Sequence, residues 1–201
     1  MRIPFAADGM SIGLLGGSFN PPHRGHLLAS QWVLKRCGLD QVWWIVTPGN
    51  PLKDHGALAP LSQRIASCRV VARHPAIMVT AFEARYRLRY TADALALLKR
   101  LRPKVNFVWI MGADNLAGFH RWQNWRAIAA MMPIVVVDRP EATFAVRSAR
   151  AAIALSRWRI DESRASRISR LRPPVWTFLH GPRLALSSTQ IRTKDDVAAP
   201  I

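Results

Sequence analysis

A short apolar run, Ile12-Gly13-Leu14-Leu15, leads straight into Gly16-Gly17-Ser18-Phe19-Asn20-Pro21-Pro22-His23-Arg24-Gly25-His26. A helical stretch, Leu27 to Arg36, follows and is closed by Gly38. A strand, a glycine-rich turn and a helix start in this order leave few folds open. The glycines let the backbone approach a ligand with no Cβ in the way, and the first helical turn carries N–H groups that no helical carbonyl accepts. His23 and His26, three residues apart, fall on one side of that turn and add two donors. Gly-Gly-Ser alone fits a plain tight turn. With Pro21-Pro22 fixing the backbone and His-x-Gly-His at the helix start, the stretch predicts a phosphate site.

The apolar runs that follow are Gln41 to Thr47, Ile77 to Thr80, Val105 to Met111, Ile134 to Val137 and Val175 to Leu179, and each reads as a strand. The first of them is continuous, as suits a strand covered on both faces. A helix is predicted over about 62–73, with Ile65, Cys68 or Arg69, and Ala72 at helical spacing. Another is predicted from Thr91, read as its cap, through Ala94, Leu95, Leu98 and Leu101, stopping before Pro103. Strands alternating with helices predict an α/β protein with a doubly wound, mainly parallel sheet. Ligands of such sheets bind outside the carboxyl ends of the strands, where strand order reverses. Gly16-Gly17-Ser18, the loop Pro48 to Lys53, and Gly112-Ala113-Asp114 each follow a strand, so all three are predicted to share one rim.

At 201 residues, half of them hydrophobic, the chain suits one domain with a sizeable core. Residues 11–201 are expected to form it. Met10-Ser11-Ile12-Gly13 would itself make a sensible start, so residues 1–10 are expected to be a leader without structure. No run reaches the roughly 18 apolar residues of a membrane span. The N-terminus also has no secretory pattern, and a soluble cytoplasmic protein is expected. Cys37 and Cys68 lack metal or redox spacing and are expected to be buried and reduced. Lysine and arginine total 29 against 12 acidic residues, a net charge of +17. Such a balance attracts nucleotides as readily as nucleic acid. Arg147, Arg150, Arg157, Arg159, Arg164, Arg167, Arg170 and Arg172 crowd one stretch, which is either a nucleic-acid face or a solvated helix and loop. The second is favoured, because no RNA- or DNA-reading motif and no aromatic series for base stacking stands nearby.

Gly16 to Leu27, taken with Leu186-Ser187-Ser188-Thr189-Gln190-Ile191-Arg192, resembles the nucleotidyltransferase superfamily that carries (H/T)xGH and ISSTxxR motifs. Within it the chain is similar to the bacterial nicotinate-nucleotide adenylyltransferases, whose fold is Rossmann-like. Asn50-Pro51-Leu52-Lys53 is similar to that family's loop ending in Lys or Arg, and Arg89-Tyr90-Thr91-Ala92-Asp93-Ala94-Leu95 to its Ser-Tyr-Thr-x-Asp-Thr-Leu. Gly112-Ala113-Asp114 followed by His120-Arg121-Trp122 is similar to its Gly-x-Asp and Trp pattern, and Val135 to Pro140 to its strand ending in Arg-Pro. The resemblance covers about residues 11–192. Arg89 stands where a serine is usual, and Leu52 where a histidine is common. Thr193 to Ile201 is shorter than the usual last helical segment, which bears on C-terminal packing and oligomer contacts.

The resemblance implies adenylyl transfer: the 5′-phosphate of nicotinate mononucleotide attacks the α-phosphorus of ATP and pyrophosphate leaves. A phosphate monoester has a second pKa of ~6, so this nucleophile needs no general base. By the same resemblance His23 and His26 contact ATP phosphates, His26 nearest the α-phosphate. Gly16, Gly17, Ser18 and Phe19 present backbone groups, and Lys53 brings a mobile cation. Ser188 and Thr189, opening a short helix, hold the β- and γ-phosphates with Arg192. Gly112 and Asp114 serve the adenosine ribose. Trp122 stacks on the nicotinate ring, and Thr91 and Gln123 offer backbone N–H groups to its carboxylate. Mg²⁺ is expected to travel with ATP on phosphates and water. No dedicated protein metal site is expected, since His23 and His26 have no third ligand nearby. Neither specific nucleic acid nor a membrane is an expected partner. Two other readings stay open: an adenylyltransferase acting on nicotinamide mononucleotide or phosphopantetheine, and a basic nucleic-acid-binding protein.

Overall fold

The structure, a computed structural model, describes residues 1–49, 58–138 and 148–181. Among these, six strands pair all in parallel: β1 (Ser11–Gly17), β2 (Gln41–Val46), β3 (Ile77–Thr80), β4 (Asn106–Gly112), β5 (Ile134–Val137) and β6 (Trp176–Leu179). Their spatial order is β3-β2-β1-β4-β5-β6. The chain therefore winds outward from β1 to one edge, returns, and winds from β4 to the other. The order reverses between β1 and β4, so the glycine-rich turn leaves the sheet at the point where such folds bind ligands.

Each strand is apolar on both sides because both faces are covered, which is why they read as continuous apolar runs. One face holds Leu15, Val42, Trp44, Val108, Ile110, Val135 and Leu179 under α1 (Arg24–Cys37), α2 (Leu61–Val71) and the 3-10 segment Glu162–Arg170. The other holds Leu14, Trp43, Ile45, Phe107, Trp109, Met111 and Phe178. It is packed by α3 (Phe82–Arg85), α4 (Thr91–Leu101), α5 (Ala113–Gly118), α6 (Trp125–Met131) and α7 (Arg150–Ala154). A doubly wound parallel sheet is thus what the alternating pattern predicted.

Helix boundaries differ in detail from the expectation. α1 ends on Gly38 as predicted, in the left-handed region at φ 58°, where the absence of a Cβ removes the strain. α4 begins at Thr91 itself. Tyr90 is its N-cap and makes no side-chain capping bond, so Thr91 is the first helical residue and not the cap. Residues 1–10, expected to be an unstructured leader, contain no helix or strand but do pack on the sheet. Ala6 is buried, the Thr80 hydroxyl donates to the Arg2 carbonyl, and Asn106 N–H donates to the Met10 carbonyl at 2.8 Å. In the arginine-rich stretch Ala165 and Ile168 are buried against the sheet. Arg157, Arg159, Arg164, Arg167, Arg170 and Arg172 are exposed. Cys37 and Cys68 are buried free thiols, and burial pushes both up to about 12, so they stay protonated. No helix among the described residues is long and apolar enough to cross a membrane.

The junction of β1 and β4 needs glycine. A Cβ placed on Gly16 would lie 2.5 Å from Cη2 of Trp109, whose indole is buried and cannot step aside. Gly16→Ala is therefore expected to destabilise the fold by about 1–3 kcal/mol through overpacking, read as a lower midpoint in urea unfolding. An unchanged midpoint would mean the indole yields freely.

Candidate active site

The site is built first from the start of α1. His23 is the N-cap, in extended backbone geometry, and its side chain accepts a hydrogen bond from Gly25 N–H at 3.1 Å. His26, three residues on, accepts at Nδ1 from the His23 N–H at 3.2 Å. Together they form a capping box, a role more often filled by Ser or Thr with Glu or Gln. With Nδ1 accepting, each neutral ring carries its proton on Nε2, which makes that nitrogen a donor. No acidic residue stands in the first turn, so the positive end of the helix dipole keeps its pull on an anion.

The rings are held from behind. Phe19 stacks on Trp44 at 5.0 Å between centroids and lies 4.9 Å from the His26 ring, and the two imidazoles are 3.9 Å apart. Trp44 Nε1 donates to the Ser30 hydroxyl, which donates to the His26 carbonyl, both at 2.8 Å. The first turn of α1 is thereby pinned to β2. Phe19 was singled out for its backbone; its ring also wedges the histidine pair against the sheet, at a positive φ of 48°.

On the other face Trp122 follows a 3-10 turn, Phe119–Arg121, and packs edge-on to Trp109 at 6.1 Å and to Phe119 at 5.4 Å. Trp109 is the residue that lies under Gly16, so one indole touches both the glycine turn and the aromatic group at Trp122. Trp122 is half-buried, while Gln123 beside it is exposed. Thr91 opens α4, which packs against α6. Gly112 ends β4 and caps α5, and Asp114 is exposed in the first turn of α5. Gly16, Gly17 and Gly112 thus form the adjacent ends of β1 and β4, and Ser18, His23, His26 and Asp114 follow them. Lys53, Ser188, Thr189 and Arg192 lie outside the described residues.

Two buried charges escaped the sequence reading. Arg64 on α2 is 2% exposed and donates to the carbonyls of Ser18 (2.7 Å), Thr47 (2.8 Å), Pro48 (3.1 Å) and Ala59 (2.8 Å). Glu83 in α3 is buried and hydrogen-bonded to the Thr47 side chain. Burial pushes its carboxyl up from 4.5 to about 7, and the Thr47 bond opposes that rise. The Thr47 hydroxyl accepts from the Gly49 N–H (3.2 Å), and the Gly49 carbonyl, 3.1 Å away, competes with Glu83 for its single proton. The signal for Arg64 was its i, i+4 relation to buried Cys68 on an otherwise apolar side of α2. Glu83 sits alone after a short strand and gave none.

Comparison with known proteins places this arrangement. The cytidylyltransferase-like family profile matches residues 14–194, which makes the chain a nucleotidyltransferase. It is 55% identical over 190 residues to a probable nicotinate-nucleotide adenylyltransferase of Mesorhizobium japonicum, covering 94% of this chain and 97% of that protein. It is 54% identical over 191 residues to the Brucella abortus protein described by the same words, covering 95% and 98%. The chain belongs to the nicotinate-nucleotide adenylyltransferase family. The fold is shared with Plasmodium falciparum nicotinic acid mononucleotide adenylyltransferase, a structure in complex with NaAD. The TM-score is 0.68 at 18% identity, covering 92% of this chain and 83% of that one.

The raised Glu83 carboxyl makes a stability prediction. The folded protein keeps this proton to about pH 7, while the unfolded chain gives it up near 4.5. Stability from this group is therefore greatest below pH 4.5 and falls as pH rises to about 7, by on the order of 3 kcal/mol. Glu83→Gln cannot ionise and keeps an oxygen that accepts from Thr47. It should unfold at higher urea than wild type at pH 8 and lose that advantage at pH 5. Parallel pH profiles for the two proteins would contradict this.

Proposed function

We propose that the protein transfers the adenylyl group of ATP to nicotinate mononucleotide in the cytoplasm, releasing pyrophosphate and giving nicotinate adenine dinucleotide for NAD biosynthesis. The observation that carries this reading is the imidazole capping box at the start of α1, two Nε2 donors over a helix N-terminus with no acidic residue in its first turn. The close relatives' names supply the acceptor.

The chemistry asks little covalent work of the protein. An oxygen of the acceptor's phosphate attacks the α-phosphorus, the bond to the bridging oxygen of the β-phosphate breaks, and no proton need move. Alignment and charge stabilisation are what is required. His26, with His23 beside it, would donate to oxygens of the transferring phosphate, while backbone groups from Gly16 to Phe19 hold the nucleotide's phosphates. Mg²⁺ would arrive on ATP, bound by phosphate and water. The donor set at α1 suits phosphate oxygens better than a cation. Gly112 and Asp114 would face the ribose of adenosine. Trp122, with Thr91 and Gln123, would receive the nicotinate ring and its carboxylate, a flat partner for which a half-buried indole is better shaped than for the flexible phosphopantetheine chain. Lys53, Ser188, Thr189 and Arg192 complete the phosphate contacts in this reading. Specific nucleic acid and membrane are not partners in it.

Two variants test it. His26→Ala should fold and lose at least about tenfold in kcat; near-normal turnover would contradict the phosphate role. Trp122→Ala should raise KM for nicotinate mononucleotide about tenfold, a loss of ~1.4 kcal/mol of stacking, and leave KM for ATP unchanged. An equal rise for both substrates would remove Trp122 from the acceptor site.

A further inference from the structure

Arg64 is the only buried lysine or arginine among the described residues. Burying a charge is costly unless every donor is matched. Here the guanidinium spends four hydrogen bonds on backbone carbonyls from three separate segments. They are Ser18 after β1, Thr47 and Pro48 after β2, and Ala59 just before α2. A guanidinium spreads five N–H donors over a rigid planar fork, whereas a lysine ammonium has three on a single atom.

The Ser18 bond sets more than a distance. A trans peptide points its carbonyl and its N–H in opposite directions. Holding the Ser18 carbonyl toward α2 therefore turns the Phe19 N–H away from α2. Phe19 adopts a φ of 48°, a region that a bulky side chain seldom enters and that its surroundings must maintain. On its far side Asn20 accepts at Oδ1 from Ala59 N–H at 3.2 Å, and Ala59 is itself held by Arg64 Nε at 2.8 Å. Phe19 is thus anchored on both flanks by one unit, Arg64 with Ala59.

We propose that Arg64 is a positioning residue for adenylyl transfer, fixing the direction of the Phe19 N–H toward the nucleotide phosphates and locking the exits of β1 and β2 together. The inference rests on the function proposed above. Arg64 touches no substrate; it acts through the Ser18–Phe19 peptide and through Thr47 and Pro48.

The test uses the full-length protein, labelled with ¹⁵N, as wild type, R64K and R64A. It measures pyrophosphate release from ATP, Mg²⁺ and nicotinate mononucleotide, urea unfolding, and the shift of the Phe19 amide resonance when ATP is added. R64K, which keeps the charge and loses the fork, is expected to fold and to lose at least about tenfold in kcat with KM values within about threefold. Its Phe19 amide shift should be at least about halved relative to wild type. Guanidinium ion should raise the turnover of R64A at least about fivefold while leaving wild type and R64K where they were. Turnover of R64K within about twofold of wild type, or a full Phe19 shift in R64K, would overturn the proposal. So would a folded R64A that guanidinium does not rescue. If the wild type used no nicotinate mononucleotide, the proposed function would fail, while the Phe19 shift on adding ATP, which needs no acceptor, would still decide the role of Arg64.

Discussion

The architecture turns on the approach of the Gly16 backbone to the Trp109 ring. β1 and β4 are the strands between which the order of the sheet reverses, and the glycine-rich turn and Gly112-Ala113-Asp114 lie at their ends. Because Gly16 has no Cβ, the indole lies directly beneath the chain as it leaves β1. That contact joins two groups that pack on opposite faces of the sheet. On one side stand Phe19, His26 and Trp44; on the other, Trp109, Trp122 and Phe119. A reaction that brings two nucleotides together over one rim needs the two sides in fixed register, and a rigid buried indole is a physical means of keeping it.

Polar groups do the complementary work on the loops. Dispersion and apolar burial hold the sheet and helices, but they do not set peptide orientation in the segments that leave β1 and β2. Arg64 and Glu83 both engage Thr47, one at its carbonyl and the other at its side chain. Both groups are buried at a cost in solvation, and the return is an ordered rim rather than added stability. The behaviour expected of Glu83→Gln, a gain in stability at alkaline pH, expresses this exchange of stability for organisation.

Much of the fold was legible because the sheet is covered on both faces. Continuous apolar runs such as Val42-Trp43-Trp44-Ile45-Val46 can hardly be anything but interior strands, and Gly38 marks a helix end by its backbone freedom alone. The site was legible where it is local. Gly16 to His26 is one uninterrupted stretch, and the His23–His26 spacing on a helix start determines the geometry that follows. What could not be read is what depends on distant parts of the chain. Arg64 shares a side of its helix with Cys68, but the carbonyls it binds come together only when α2 is laid across the exits of β1 and β2. Trp109 looks like any core tryptophan among eight until Gly16 lies over it. Residues 1–10 carry no periodicity, and their docking through Ala6 and the Met10 carbonyl is a tertiary event. Thr91 was placed on the right helix but given the capping position that Tyr90 occupies.

The most direct measurement is pyrophosphate release by the wild-type protein with ATP and Mg²⁺ and each of three acceptors in turn: nicotinate mononucleotide, nicotinamide mononucleotide and phosphopantetheine. The account predicts strong preference for nicotinate mononucleotide, with the dinucleotide as the second product. Preference for either other acceptor would leave the phosphate site in place and contradict the assignment of Trp122, Thr91 and Gln123. Folded protein that binds ATP and turns over none of the three would contradict the account as a whole.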